Sequence, residues 1–329
     1  MEAKYYETVG EGAVRCLLCS HRCRIPPGKA GLCRIRVNRM GRLEAAGYGR
    51  AVSLSMDPIE KKPLYHFHPG RLILSTGPNG CNLDCQYCQN WEISQRDGPT
   101  EYLDPGELAE MAASQGSIGV AYTYTEPFIW FEYLLDACRA VRNRGLVNVL
   151  VTNGTVNREP LDELLPLVDA MNIDLKSMDA GFYKKVCRGD LETVLETIRA
   201  SCGRCHIELT NLVIPGMNDT DGDLDRLVKF IGGLDPMIPL HISRYFPRYR
   251  AKTPPTPEET LLRFQHRAAQ ELAYVYLGNI NLPGGEDTRC PECGSLLIER
   301  RGYRPVIVGI HKQRCRRCGR RADVIGLEE

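Results

Sequence analysis

The chain has no long apolar run. Its longest uncharged stretch, Met111–Thr125, is 15 residues rich in Ser, Thr, Tyr and Gly. That is too short and too polar to span a bilayer. The opening stretch, Met1 to Glu7, carries no apolar core of the kind a signal peptide needs. No membrane association is expected, and the expected compartment is the cytoplasm. The sequence shows no internal repeat and no low-complexity tract, which argues against a solenoid or a disordered chain. Net charge is also nearly absent, at +1. The balance is uneven, however. Residues 1–50 carry 10 Lys/Arg against 4 Asp/Glu, and residues 289–321 carry 10 against 2. The middle of the chain is correspondingly acidic. The basic ends either balance thiolate-rich metal sites or form a docking surface for an acidic partner or nucleic acid.

Cysteine is present in excess. There are 15 in 329 residues, an odd number. In a reducing compartment, clustered cysteines read as metal ligands rather than disulfides. Eleven fall into three groups: Cys16/Cys19/Cys23/Cys33, Cys81/Cys85/Cys88 and Cys290/Cys293/Cys315/Cys318.

Between the outer groups, short β-rich runs alternate with amphipathic stretches. The runs are 72–75, 119–124, 148–152, 170–174, 206–213, 239–243 and 273–277. Helices are expected over 104–115, 127–143, 159–167, 181–186, 191–200, 221–231 and 257–272. Such alternation predicts a parallel sheet with crossover helices. About six units in this length fall short of the eight of a full barrel. The expected fold is α/β: a partial (β/α)6 TIM-like barrel over 72–280. A Cys-rich N-terminal segment and connector (1–71) and a zinc-ribbon tail (281–329) are its appendages.

The central group is spaced Cys-x3-Cys-x2-Cys and follows the first expected strand, where parallel barrels carry their chemistry. Three thiolates on one loop suit a [4Fe–4S] cluster. Electron-transfer clusters use four cysteines, so three leave one iron open. The C-terminal group is two Cys-x2-Cys knuckles, with Gly294 and Gly319 directly after them, a closed structural Zn2+ pattern. The spacing of the N-terminal group is less diagnostic. Zinc is the preferred reading and an auxiliary [4Fe–4S] cluster the alternative, with His21 surplus to four thiols. Cys202 and Cys205 read as structural thiols, Cys138 as core and Cys187 as a weak active-site candidate.

The segment Cys81-Asn-Leu-Asp-Cys85-Gln-Tyr87-Cys88 resembles the signature of the radical S-adenosylmethionine (SAM) superfamily. Further segments, around Lys62–Phe67, Tyr122–Pro127, Asn172–Lys176 and Leu212–Asp219, are similar to the AmmeMemoRadiSam-system radical SAM enzymes, relatives of pyruvate formate-lyase activating enzyme. The resemblance implies that S-adenosyl-L-methionine chelates the open iron and that one electron cleaves it to a 5′-deoxyadenosyl radical. That radical abstracts hydrogen from a substrate, in an oxidoreductase of the activating-enzyme type. It implies a reductant such as ferredoxin or flavodoxin, a protein substrate, and association with Memo-type and AMMECR-type proteins. Radical modification of RNA or a small molecule is the alternative, and a non-catalytic iron–sulfur scaffold or electron carrier is a third class.

Later strand ends supply the remaining candidates. Glu126 stands where the family usually has a Gly-Gly-Glu-like element that binds the cofactor's amino group, although the two glycines are missing here. A helix-start Glu favoured by the dipole is the plainer reading. Asn153, beside Gly154, offers donor and acceptor together. Asp174 and Lys176, two apart on a strand, face the same side. The resemblance places this Asp-Leu-Lys element near the cofactor, with the lysine suited to its carboxylate. His241, Ser243 and Arg244 end the sixth strand as weaker candidates.

Overall fold

A computed structural model describes residues 1–327. Seven parallel strands run in sequence order: Leu72–Pro78, Gly119–Tyr122, Val147–Thr152, Ala170–Asp174, His206–Val213, Leu240–Arg244 and Val275–Gly278. Each expected run forms one of them. Strands such as Gly119–Tyr122 are buried along their whole length, as a parallel sheet covered by helices requires. The crossover helices are Pro105–Ser114, Phe131–Asn143, Arg158–Leu164, Leu191–Ser201, Asp221–Leu234 and Glu258–Ala268. Their starts follow the sequence. Asp104 accepts from the N–H groups of Gly106 and Glu107, and Thr220 with Asp223 forms a capping box. The expected helix 181–186 is instead a short turn running into a π-helical segment, Tyr183–Cys187.

One element departs from expectation. Arg50–Pro58, read as connector, is a nine-residue strand that pairs antiparallel along Leu72–Pro78. Its alternation is weak because it lies toward the sheet edge, where only Glu101–Tyr102 flanks it and burial is partial.

The N-terminal module is two small antiparallel sheets, Tyr6–Thr8/Val14–Cys16/Arg24–Ile25 and Arg36–Arg39/Arg42–Ala45. It is seated on the barrel by a buried ion pair, Arg36–Glu132 at 3.0 Å, and by Asn157 Nδ2 donating to the Leu17 carbonyl at 2.7 Å. The C-terminal ribbon has its own small core of Leu297, Ile298, Ile310, Ala322 and Val324. It closes the N-terminal ends of the barrel strands. Tyr274 donates to Asp323 at 2.6 Å, and Arg300 donates to the Tyr65 carbonyl at 2.7 Å.

Candidate active site

The loop after the first strand carries Cys81, Cys85 and Cys88, and it is held from several sides. Asn82 donates to the Thr155 carbonyl at 2.8 Å and accepts from Asn153 Nδ2 at 3.0 Å. The amides of Asp84 and Gln86 donate to the carbonyls of Cys187 and Val186, both at 3.0 Å. The Tyr87 hydroxyl meets Cys187 Sγ at 3.5 Å inside the core. Gly80 turns the chain into the loop at φ 131°, and a Cβ there would stand 2.4 Å from the Cys33 carbonyl. No other residue fits that position.

The three thiols line one cavity of about 600 Å³ at the C-terminal strand ends. Burial raises the Cys81 and Cys88 thiols above their ordinary range. A metal centre would reverse that penalty by supplying positive charge to the thiolates. Asn153 Nδ2 lies 3.6 Å from Cys81 Sγ. Lys176 Nζ donates to Asp174 Oδ2 at 2.8 Å, and both side chains face the same cavity. Burial disfavours the Lys176 ammonium, but Asp174 and the thiols of Cys85 and Cys187 outweigh it and raise its pKa.

Six of the seven predicted residues at this site therefore converge: Cys81, Cys85, Cys88, Asn153, Asp174 and Lys176. Glu126 lies behind the cavity wall, with no exposed surface. Its carboxylate accepts from Thr152 Oγ1 (2.7 Å), the Asn153 amide (2.8 Å) and the Phe128 amide (2.9 Å). Burial raises its pKa to about 7 against these three donors. In this geometry Glu126 fixes the end of the third strand, and with it Asn153.

Ser243 lines the cavity, whereas Arg244 turns to the Thr256 carbonyl at 2.9 Å. His241 points toward the opposite barrel end, where its Nε2 donates to Glu208 at 2.6 Å. Sequence reasoning missed Lys62 and Tyr124 in the lining. Lys62 is buried on Asp57 at 2.7 Å, and Tyr124 also donates to Asp57 at 3.1 Å. Asp57 followed four and five residues later by Lys61 and Lys62 was the available signal.

The outer cysteine groups stand apart from this cavity. The thiols of Cys290, Cys293, Cys315 and Cys318 all lie within 4.8 Å of one another, a set that suits a tetrahedral ion. Cys16, Cys19, Cys23 and Cys33 ring a separate, enclosed cavity beside the Cys81 loop. Cys138 is core, as expected, and Cys202 and Cys205 are unpaired thiols.

Residues 76–231 match the family model described as the Radical SAM superfamily. The chain is 44% identical over 333 residues to uncharacterized protein MJ0808 of Methanocaldococcus jannaschii, covering 98% of this chain and 99% of that protein. It is 29% identical over 161 residues to pyruvate formate-lyase 1-activating enzyme of Escherichia coli, covering 46% of this chain and 65% of that enzyme. Among solved structures, a radical SAM methyltransferase from Sphaerobacter thermophilus superposes with a TM-score of 0.51 at 16% identity, over 70% of this chain and 71% of that one. That likeness carries the fold, the partial barrel. With three thiols gathered at the strand ends of that barrel, the chain belongs to the radical SAM superfamily, as a relative of the pyruvate formate-lyase activating enzymes.

Proposed function

We propose that this radical SAM enzyme is of the activating-enzyme type, generating a radical that takes hydrogen from a carbon of a protein substrate. The observation that carries the reading is that Cys81, Cys85 and Cys88 face one roomy cavity, leaving space for a ligand beside them. A [4Fe–4S] cluster held by these thiols would supply the one electron that cleaves the C5′–S bond of S-adenosyl-L-methionine to methionine and a 5′-deoxyadenosyl radical. The chain's own residues hold and orient. Lys176 offers its ammonium to the cofactor's carboxylate, and Asp174 keeps that ammonium charged and aimed. Asn153 presents its amide to the cofactor beside Cys81, and Glu126 holds Asn153 in place through its backbone. Tyr124 and the Asp57-bound Lys62 form the facing wall. The protein-substrate assignment is supported by the relatives that activate pyruvate formate-lyase and benzylsuccinate synthase. The electron comes from a ferredoxin- or flavodoxin-type donor. The basic ribbon closes the barrel end away from the cavity, so it does not favour an RNA substrate.

The test is anaerobic reconstitution of the cluster, followed by reductant and S-adenosyl-L-methionine, with 5′-deoxyadenosine as the readout. Its formation is expected. A fully loaded cluster that yields none with several reductants overturns the reading.

A further inference from the structure

We propose that Cys16, Cys19, Cys23 and Cys33 hold a second iron–sulfur cluster, and that this cluster passes electrons to the one at Cys81, Cys85 and Cys88. The relay half rests on the function proposed above; the metal half does not.

The two outer cysteine groups have different geometry. A tetrahedral zinc with Zn–S bonds of 2.3 Å sets its sulfurs about 3.8 Å apart. The C-terminal group matches, with Cys290–Cys318 at 3.6 Å and Cys293–Cys315 at 3.7 Å. The N-terminal thiols instead stand around an enclosed space, closed by Leu18, Ile25 and Ile129. A space ringed by four thiols and apolar side chains suits a compact inorganic core of iron and sulfide better than one ion.

A second observation points into the same space. Arg36 lines it and is only 1% exposed. Its Nη1 is paired with Glu132, but its Nε has no hydrogen-bond partner among the described residues. A buried donor without a partner is expensive. Cluster sulfurs accept N–H bonds, and a cluster held by four thiolates is anionic, so the guanidinium suits it in both respects.

The placement suits a relay. The Cys33 carbonyl abuts Gly80, as the 2.4 Å approach to a Cβ built there shows. His21 Nε2 donates to the Asn82 carbonyl at 2.6 Å. Gly80 and Asn82 flank Cys81, and Asn82 also lines the N-terminal cavity. The outer side of the module faces solvent at Leu32, which is 61% exposed beside Cys33, and at exposed Arg22, Arg24 and Lys29. That surface suits an acidic, low-potential one-electron donor protein. One electron leaves the reduced donor, passes through the N-terminal cluster and reduces the Cys81 cluster. The donor is oxidised by one electron, and no proton moves.

The test uses the full chain, reconstituted anaerobically with iron and sulfide and analysed for iron and zinc. Two four-iron clusters predict about eight irons per chain, and the triple variant C81A/C85A/C88A retains about four. After dithionite reduction, that variant shows an EPR signal that S-adenosyl-L-methionine leaves unchanged. The variant C16S/C33S loses about half the iron and keeps the signal that S-adenosyl-L-methionine perturbs. With a flavodoxin-type donor its 5′-deoxyadenosine formation falls at least tenfold, while the dithionite-driven rate holds. If the variant does not fold, the iron content of the triple variant decides. A triple variant with no iron and a second zinc overturns the proposal. Eight irons with no 5′-deoxyadenosine would sink the proposed function and leave the second cluster standing. Unchanged donor-driven turnover in C16S/C33S overturns the relay.

Discussion

The two ends of the barrel use similar residues for opposite purposes. At the C-terminal strand ends, Asp174, Lys176, Asn153 and three thiols face a cavity of about 600 Å³. At the N-terminal ends, the polar groups have no space left. Glu208 is fully buried and accepts from the His66 amide (2.7 Å), His206 Nε2 (2.9 Å) and His241 Nε2 (2.6 Å). His66 Nδ1 donates to the Asp323 carbonyl at 2.6 Å, and its Nε2 accepts from Tyr276 at 2.5 Å. Arg300 completes the plug, donating to Tyr65, Glu286 and Thr288 and lying over the Tyr65 ring. A buried carboxylate with both oxygens engaged by the fold is structural. A carboxylate and an ammonium on a cavity wall are available to a ligand. Sequence alone does not separate the two, because Glu208 and Asp174 both sit on parallel strands and face inward.

The largest loss of activity is expected at the thiols. The substitution C88S should abolish 5′-deoxyadenosine formation, by roughly a thousandfold or more, since the reaction needs the cluster. The apoprotein's melting temperature should stay nearly unchanged, because a serine hydroxyl can keep the side-chain hydrogen bond that Cys88 makes with Ser94 Oγ, at 3.3 Å. A large melting shift would show that the cavity end also carries stability. The complementary change is R300M at the plug. Loss of its three acceptors' donor should destabilise the fold by about 3 kcal/mol in denaturant titration. Turnover per folded molecule should be kept. Lost turnover with intact stability would mean that the plug reaches the cavity.

A smaller effect sharpens the same contrast through pH. Burial holds the His66 pKa down, from an ordinary 6.5 to about 4. Its Nε2 accepts from the Tyr276 hydroxyl, so a second proton there displaces that bond. The folded state therefore binds fewer protons than the unfolded one between these values. Stability is full above pH 6.5 and declines as pH falls toward 4, by roughly 2–3 kcal/mol at most. Glu208, held well below its ordinary range by the two histidines despite its burial, extends the loss to lower pH. The variant H66Q should flatten the slope between pH 6.5 and 4 in chemical denaturation. An unchanged slope would assign the acid sensitivity elsewhere.

Much of the cavity end was legible in the sequence, for a physical reason. The Cys81 loop is local, so its spacing is its geometry, and each strand run ends where its site residue stands. Glu126 misled because type and position were right while direction was not. A residue at a strand end can face the cavity or turn back to bind the neighbouring strand, and Glu126 binds Thr152 and Asn153. Lys62 was hidden because its partner, Asp57, lies on a strand at the sheet edge, where periodicity is weakest. The plug was illegible because it joins residues as far apart as Tyr65 and Arg300, a contact that only the folded ribbon creates.

The smallest predicted effect tests the cavity end without removing its metal ligands. Lys176 pairs with Asp174, which remains 37% exposed, so K176M leaves a carboxylate that water can solvate. The stability change should stay below about 1 kcal/mol, unlike that of R300M. If the ammonium holds the cofactor's carboxylate, KM for S-adenosyl-L-methionine should rise about tenfold, the value of one charge-assisted bond. The variant K176R keeps the charge and should recover part of the loss. A KM unchanged in K176M, with stability lost instead, would place Lys176 with Arg300 as a structural cation and erase the difference between the two ends at that residue.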